Sequence, residues 1–187
     1  MKRFLVKILI ITGLALSFHS CCNKSTEIAK YMLTEDDKSF IPYLPDQQIR
    51  FKHNSGNIVK VSVIDMFTGE SRTVTDHCND DYTTYEFMVA ELFGSNPSLY
   101  LRLMVLPLDV SPYLTLTVNN NHFLLDRTIP YTYDSIYIDS LLYRDVYQLE
   151  SHISDTTIIQ PKEVLYNKDY GILEIKLTNN EVFDLYQ

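Results

Sequence analysis

The 187-residue sequence contains no tryptophan and only five glycines. Aromatic faces in sugar-binding sites usually include tryptophan, so its absence counts against a glycan site built mainly on stacking. The few glycines form neither a phosphate-binding loop nor a dinucleotide-binding fingerprint. The composition therefore argues against nucleotide-dependent chemistry.

Basic residues are also scarce, with 16 Lys and Arg against 24 Asp and Glu and a formal net charge of −8. Binding to nucleic acid requires Lys and Arg to neutralise phosphates, so we expect no nucleic-acid partner. A polybasic patch for anionic lipid headgroups is excluded by the same shortage.

Cysteine occurs three times, at Cys21, Cys22 and Cys78. With the adjacent pair near the N-terminus set aside, one cysteine remains and no disulfide framework can be built. A Cys22–Cys78 bridge is the alternative that the sequence leaves open. We expect Cys78 to be a free, buried thiol, because unpaired cysteine behaves as a small apolar residue.

No catalytic motif of a zinc protease or a serine hydrolase is present. The densest polar cluster is residues 76–81 (DHCNDD). On a strand, adjacent His77 and Cys78 would point to opposite faces, and a calcium loop would need a glycine turn that is missing. We interpret the cluster as a polar loop, and we predict no metal, no cofactor and no enzymatic activity.

The N-terminus has the pattern of a secretory signal. Lys2, Arg3 and Lys7 precede the apolar residues 8–16, and small and polar residues follow up to Cys21. The apolar stretch is shorter than the ~20 residues that a spanning helix needs. We therefore predict a cleaved signal peptide over residues 1–20 rather than an uncleaved membrane anchor.

Residues 18–21 (FHSC) resemble the lipobox of bacterial lipoproteins, with Ser20 in the small position before Cys21. Phe18 and His19 depart from the commonest lipobox, and looser forms of this kind are similar to those of Bacteroidota. The resemblance implies a lipid on Cys21 that attaches the chain to a membrane. Some Bacteroidota lipoproteins carry an acidic cluster directly after the cysteine as a signal for surface export, whereas residues 22–27 here contain one acid. The resemblance therefore implies an outer-membrane location that faces the periplasm rather than the cell surface.

After cleavage, 13 basic and 24 acidic residues would remain, a net charge of −11. Residues 21–40 are mixed and polar, and we predict a lipidated tether there, with a short helical turn near 28–33 as an alternative. Residues 41–187 have the length of one domain with a real core. The sequence shows no internal repeat and no further domain boundary.

The pattern from residue 41 onward is strand after strand. Val59, Val61 and Val63 alternate with other side chains, which is typical of a half-buried strand. Turns are predicted at residues 54–57, 68–70, 94–97, 119–121, 167–171 and 178–181. Residues 84–92 are ambiguous between strand and short helix. The spacing predicts an all-β fold with a single antiparallel sandwich or a strongly curved half-barrel sheet, ending in a three-strand meander.

Residues 143–149 (YRDVYQL) and 165–173 (LYNKDYGIL) resemble the C-terminal end of small Bacteroidota lipoproteins without an agreed activity. The resemblance covers about 45 residues and implies fold and location rather than a function. Independently of it, we expect a positive φ at Gly171 and cross-strand packing of Tyr143, Val146 and Tyr166.

A tyrosine-rich stretch is the one candidate ligand surface. Tyr131, Tyr133 and Tyr137 would share a face if one strand ran through all three. Such a face could contact a sugar or an apolar ligand, and sheet packing is the alternative interpretation. The sequence thus favours a membrane-anchored, non-catalytic binding or structural module with an envelope protein, glycan or lipid as partner. A lipid or glycan carrier is the first alternative, and a hydrolase is the second.

Overall fold

The structure is a computed structural model, and it describes residues 25–76, 81–95, 97–151 and 157–187. Within these ranges, one short helix, α1 (Glu35–Lys38), accompanies twelve strands. The strands are β1 (Glu27–Tyr31), β2 (Gln48–His53), β3 (Ile58–Asp76), β4 (Asp81–Ser95), β5 (Ser98–Val105), β6 (Tyr113–Val118), β7 (Asn121–Asp126), β8 (Tyr133–Ile138), β9 (Leu141–Glu150), β10 (Pro161–Asn167), β11 (Gly171–Leu177) and β12 (Val182–Leu185).

The predicted all-β class is confirmed, because all twelve strands belong to one sheet. Its order is β7-β6-β5-β4-β3-β2-β12-β11-β10-β9-β8, and β1 pairs with β4 outside this path. The pairings along the path are antiparallel where their registers are described, whereas β1 runs parallel to β4. The predicted C-terminal meander is present as β10, β11 and β12.

The chain forms two compact units, which the sequence did not predict. The described part of the first unit comprises residues 25–31, 71–76 and 81–85. Within it, β1 pairs with the beginning of β4, and Tyr31 lies opposite Tyr85. The guanidinium of Arg72 lies 4.8 Å from the ring centre of Tyr82. The alternative of a helical turn near 28–33 is wrong, since residues 27–31 are a strand.

The second unit comprises residues 32–70 and 86–187. Its first residues differ from the predicted tether, because Leu33, Asp37 and Phe40 are buried. Helix α1 begins with a capping box in which Thr34 and Asp37 each bind the other's backbone N–H. Reciprocal capping satisfies two of the free N–H groups at a helix start. Packed structure therefore begins before residue 41, where the sequence placed the start of the domain.

The predicted turn at residues 68–70 is wrong, because β3 continues from Ile58 to Asp76. Gly69 is not a turn residue: a Cβ there would lie 2.6 Å from Cζ of Phe87. Glycine within a strand marks such a close approach of another group. Residues 84–92, ambiguous in sequence, lie within β4.

The core of the second unit follows the period of two that strands impose. On β5 the inward side chains are Leu99, Leu101, Leu103 and Val105, which are all buried. Strand β7 also contacts β9, although the two are far apart in the sheet order. The sheet of this unit is therefore curved, as the half-barrel alternative predicted.

The C-terminal strands contain the expected packing residues. Tyr143, Val146 and Tyr166 are at most 3% exposed and belong to one hydrophobic cluster. Gly171 has a φ of +78° at the β10–β11 turn, as predicted. The Tyr166 hydroxyl donates to the carbonyl of Phe40, and the Tyr43 hydroxyl accepts from the N–H of Ile172 at 2.8 Å. Two buried tyrosines thus connect residues 40–43 to β10 and β11.

Candidate ligand groove at the hairpin turns

An open groove of about 540 Å³ lies at one end of the sheet in the second unit. Three turns meet there: β2–β3, β4–β5 and β11–β12. They lie at one end because β4, β3, β2, β12 and β11 are consecutive in the sheet and alternate in direction. The described lining residues are His53, Ser55, Asn57, Ile58, Val59, Pro97, Glu181 and Phe183. We call this feature the hairpin groove.

The base of the hairpin groove is apolar. Val59 and Phe183 are 2% and 5% exposed, so they anchor the groove in the core. Ile58 is 41% exposed and presents its side chain to an incoming molecule. Pro97 adds an apolar ring from the β4–β5 turn. A ligand with an apolar part would therefore bury that part on entering.

A polar network on the β2–β3 turn forms one wall. The Ser55 hydroxyl lies 2.6 Å from Nδ1 of His53, and the Ser55 backbone N–H donates to the same nitrogen at 3.2 Å. Asn57 donates its side-chain amide to the Ser55 hydroxyl at 3.1 Å. Since Nδ1 accepts from a backbone N–H, it carries no proton, and neutral His53 has its proton on Nε2.

The opposite wall comes from the β11–β12 turn. Oε2 of Glu181 lies 4.0 Å from Nε2 of His53, and the Glu181 side chain is 43% exposed. The ring of Phe183 lies beside that of His53, with centroids 4.9 Å apart. Phe183 also pairs with His53 in the β12–β2 register. The groove thus combines two aromatic rings, a carboxylate and an N–H donor.

This arrangement is suited to binding a small molecule. Ligand sites typically occupy ~300–1,000 Å³, with apolar walls and a few polar groups that orient the ligand. Loops at the end of a rigid sheet are also the usual place for binding residues. Sequence reasoning missed the groove because His53 was isolated in the sequence and Phe183 carried no local signal.

The predicted tyrosine face does not form. Tyr131 precedes β8 and is 40% exposed, whereas Tyr133 packs against the core and donates its hydroxyl to Gln148 at 2.6 Å. Tyr137 is 71% exposed on the face opposite to the buried Ile138. The three hydroxyphenyl groups therefore do not make one surface.

A change of face within the β8–β9 pair explains this result. Asp145 has a φ of +53°, and the buried residues of β9 on either side of it, Tyr143 and Val146, are three positions apart. A regular strand would bury residues two positions apart. Tyr133 lies opposite Val146 and Tyr137 lies opposite Leu142, so the two tyrosines fall on different sides of the irregularity.

A buried ion pair that the sequence did not indicate organises the start of the second unit. Arg127 Nη1 donates to Asp37 Oδ1 at 2.5 Å, and both side chains are at most 5% exposed. Arg127 Nη2 donates to the carbonyls of Leu106 and Ser111, both at 2.7 Å. Burial raises the pKa of the Asp37 carboxyl, but hydrogen bonds from Thr34 and Arg127 outweigh burial and hold that pKa below its usual value. The Thr-x-x-Asp spacing at 34–37 was the signal for the helix start.

A row of charged side chains crosses four neighbouring strands. Glu163 of β10 pairs with Lys176 of β11 at 2.7 Å, and Lys52 of β2 pairs with Asp139 at 2.6 Å. Between them, Asp184 of β12 lies opposite Glu174 of β11. Burial and the charge of Glu174 raise the pKa of Asp184 to about 6. The charges of the row alternate in sign except at this carboxyl pair.

Residues 77–80 of the polar cluster, and with them His77 and Cys78, lie outside the described residues. So do Cys21, Cys22 and His152. Within the described ranges, no group of three or more His, Cys, Asp or Glu side chains has the geometry to hold a metal ion. His122 is described and lies 3.0 Å from the Thr117 hydroxyl through Nδ1.

Comparison with protein-family models, with curated proteins and with solved structures finds no match to this chain. Among the described residues, no helix has the length and hydrophobicity that crossing a membrane requires.

Proposed function

We propose that this protein is a lipid-anchored, non-catalytic binding module of the bacterial envelope. Its ligand would occupy the hairpin groove, and the lipid on Cys21 would hold the module on the outer membrane, facing the periplasm. The groove is the observation that carries the binding part of the proposal, since a purely structural module needs no such cavity.

The anchor part of the proposal rests on residues 1–21, outside the described structure. The charged head, the short apolar stretch and the lipobox-like residues 18–21 support it. Three acyl chains, each contributing ~0.8 kcal/mol per buried CH₂, attach a protein to a membrane essentially permanently. The acidic chain offers no basic patch that would replace them.

A carrier of a lipid is the first rival. A carrier needs an enclosed apolar cavity, whereas the hairpin groove is open and has four polar side chains on its walls. Polar walls favour a small ligand with hydrogen-bonding groups over an acyl chain. A glycan remains compatible with these walls.

A hydrolase is the second rival, and one contact favours it. The Ser55 hydroxyl and the His53 imidazole are within hydrogen-bond reach, and Glu181 lies on the far side of the ring. The same contacts are also those of a closed turn. The backbone N–H of Ser55, which would stabilise an oxyanion, already donates to His53.

Labelling with a fluorophosphonate separates the hydrolase from the binding module. A serine activated by a base would react with the probe, and Ser55→Ala would abolish the reaction. We expect no labelling of the mature protein above that of Ser55→Ala. If the probe labelled the mature protein and did not label Ser55→Ala, the hydrolase would be established.

Native mass spectrometry of the mature chain purified from envelopes tests the binding module. We expect a bound molecule that dissociates on collisional activation. Ile58→Trp should reduce its occupancy by filling the groove, whereas Leu124→Trp, on an exposed position of β7, should not. Equal occupancy in both variants would contradict the proposal.

A further inference from the structure

We propose that the hairpin groove selects small organic cations, in which an ammonium group is attached to an apolar chain. This inference rests on the proposed binding function and names the ligand class. It follows from the charge of the groove, the position of its carboxylate and the apolar surface beside it.

The charge of the groove has one sign. Of the lining side chains that the structure describes, Glu181 is the one with a formal charge at pH 7, and none is Lys or Arg. Within the described ranges, the one ion-pair contact of Glu181 is with His53, at 4.0 Å. Among the described residues, the carboxylate therefore has no cationic Lys or Arg partner to displace.

The whole chain reinforces this preference, with its formal net charge of −8. An acidic protein raises the local concentration of cations and lowers that of anions, and salt screens the effect. An anionic ligand would be repelled by the net negative charge of the chain as it approached, and by the Glu181 carboxylate once it reached the groove. Charge complementarity thus favours a cation over an acid.

The apolar base determines what accompanies the charge. Ile58, 41% exposed, offers carbon surface in the same groove as Glu181, whereas the Phe183 ring is 5% exposed and packs against His53 with ring centroids 4.9 Å apart. An ammonium group on an alkyl chain would use the Glu181 carboxylate and the exposed Ile58 side chain together.

A matched series of six-carbon probes tests the inference by isothermal titration calorimetry on the mature chain. The probes are hexylammonium, hexan-1-ol and hexanoate, with glucose as an uncharged sugar. We expect hexylammonium to bind at least tenfold more tightly than each of the others. Its affinity should fall as sodium chloride is raised from 20 to 300 mM, because salt screens the ion pair.

Glu181→Gln keeps the shape of the side chain and removes its charge. We expect it to weaken hexylammonium about tenfold, or ~1.4 kcal/mol, and to leave hexan-1-ol unchanged. Glu150→Gln, an exposed acid on β9, is the matched control and should leave both affinities unchanged.

The outcomes separate this inference from the proposed function. Tighter binding of glucose, hexan-1-ol or hexanoate than of hexylammonium would overturn the ammonium preference and leave a binding module. An equal loss of hexylammonium in the two glutamine variants would overturn it as well. Absence of binding by all four probes would overturn the inference, and the envelope-purified protein then decides the proposed function separately.

Discussion

His53 and Phe183 lie opposite each other on β2 and β12, with ring centroids 4.9 Å apart, although 129 residues separate them in the chain. The pairing of these two strands brings the β2–β3 and β11–β12 turns together at one end of the sheet. The Asn54 N–H strengthens this junction by donating to the Val182 carbonyl at 3.0 Å. The hairpin groove therefore depends on a long-range pairing and on turns that the rigid sheet positions.

Gly171 tests the connection between residues 40–43 and the C-terminal meander. Its φ is +78°, and a Cβ there would collide with the Tyr43 hydroxyl. We expect Gly171→Ala to lower the free energy of unfolding by ~3 kcal/mol, through backbone strain and overpacking together. Urea denaturation followed by circular dichroism measures the loss.

Gly56→Ala is the matched control for Gly171→Ala. Gly56 has a similarly positive φ of +91°, but no atom lies within 4 Å of the added Cβ. We expect a loss of ~1 kcal/mol, which is the backbone term alone. Equal losses in the two variants would show that the Tyr43 contact is unimportant.

Arg127 tests the buried ion pair. We expect Arg127→Lys to lower the free energy of unfolding by ~2–3 kcal/mol, because a lysine cannot reach Asp37 and the carbonyls of Leu106 and Ser111 together. Arg144→Lys, at an exposed position of β9, should change it by less than ~0.5 kcal/mol. Thermal and urea unfolding of both variants provide the comparison, and a tolerated Arg127→Lys would contradict it.

Asp184 predicts a dependence of stability on pH. Its folded pKa of about 6 lies above the ordinary 3.8, so the folded state holds the proton more tightly. The stabilisation from this proton is complete below about pH 4 and is lost as the pH rises through about 6. In Asp184→Asn the side chain is neutral at every pH, so the variant does not lose this stabilisation as the pH rises.

We therefore expect Asp184→Asn to gain stability over the original protein by ~2 kcal/mol more at pH 8 than at pH 4.5. Urea titrations of both proteins at the two pH values measure this difference. If the two proteins differ in free energy of unfolding by the same amount at both pH values, the pKa of Asp184 is not raised in the folded state.

Cys21 tests the membrane anchor. We expect Cys21→Ser to leave an unprocessed, unlipidated precursor, because the serine cannot form the thioether to the lipid. Metabolic labelling with an alkyne fatty acid measures the lipidation, and electrophoresis of the product distinguishes the precursor from the processed chain. Cys22→Ser is the control and should be labelled and processed normally, whereas normal maturation of Cys21→Ser would refute the anchor.

Local sequence patterns predicted most strands because they follow from side-chain alternation. In β6 (Tyr113–Val118), for example, the buried Leu114 and Leu116 alternate with threonines. The pattern failed at Gly69, where contact with Phe87 overrides the local turn preference. Tertiary contacts of this kind have no signature within a short window of sequence.

The candidate site was less accessible to sequence reasoning. A tyrosine face required regular alternation through residues 131–137, and the irregularity at Asp145 on the neighbouring strand removed it. The hairpin groove required the β12–β2 pairing, which no local motif indicates. The lipobox-like residues around Cys21, in contrast, can be recognised only in the sequence.

The most direct measurement of the central claim is a methyl NMR spectrum of the mature chain with labelled isoleucine δ1 groups. Ile58 lines the hairpin groove, whereas Ile129 is 54% exposed elsewhere in the second unit. On titration with the small-molecule fraction of envelope extract, we predict a saturating shift of the Ile58 methyl and a stationary Ile129 methyl. A stationary Ile58 methyl, or equal shifts at both positions, would contradict a ligand in the hairpin groove.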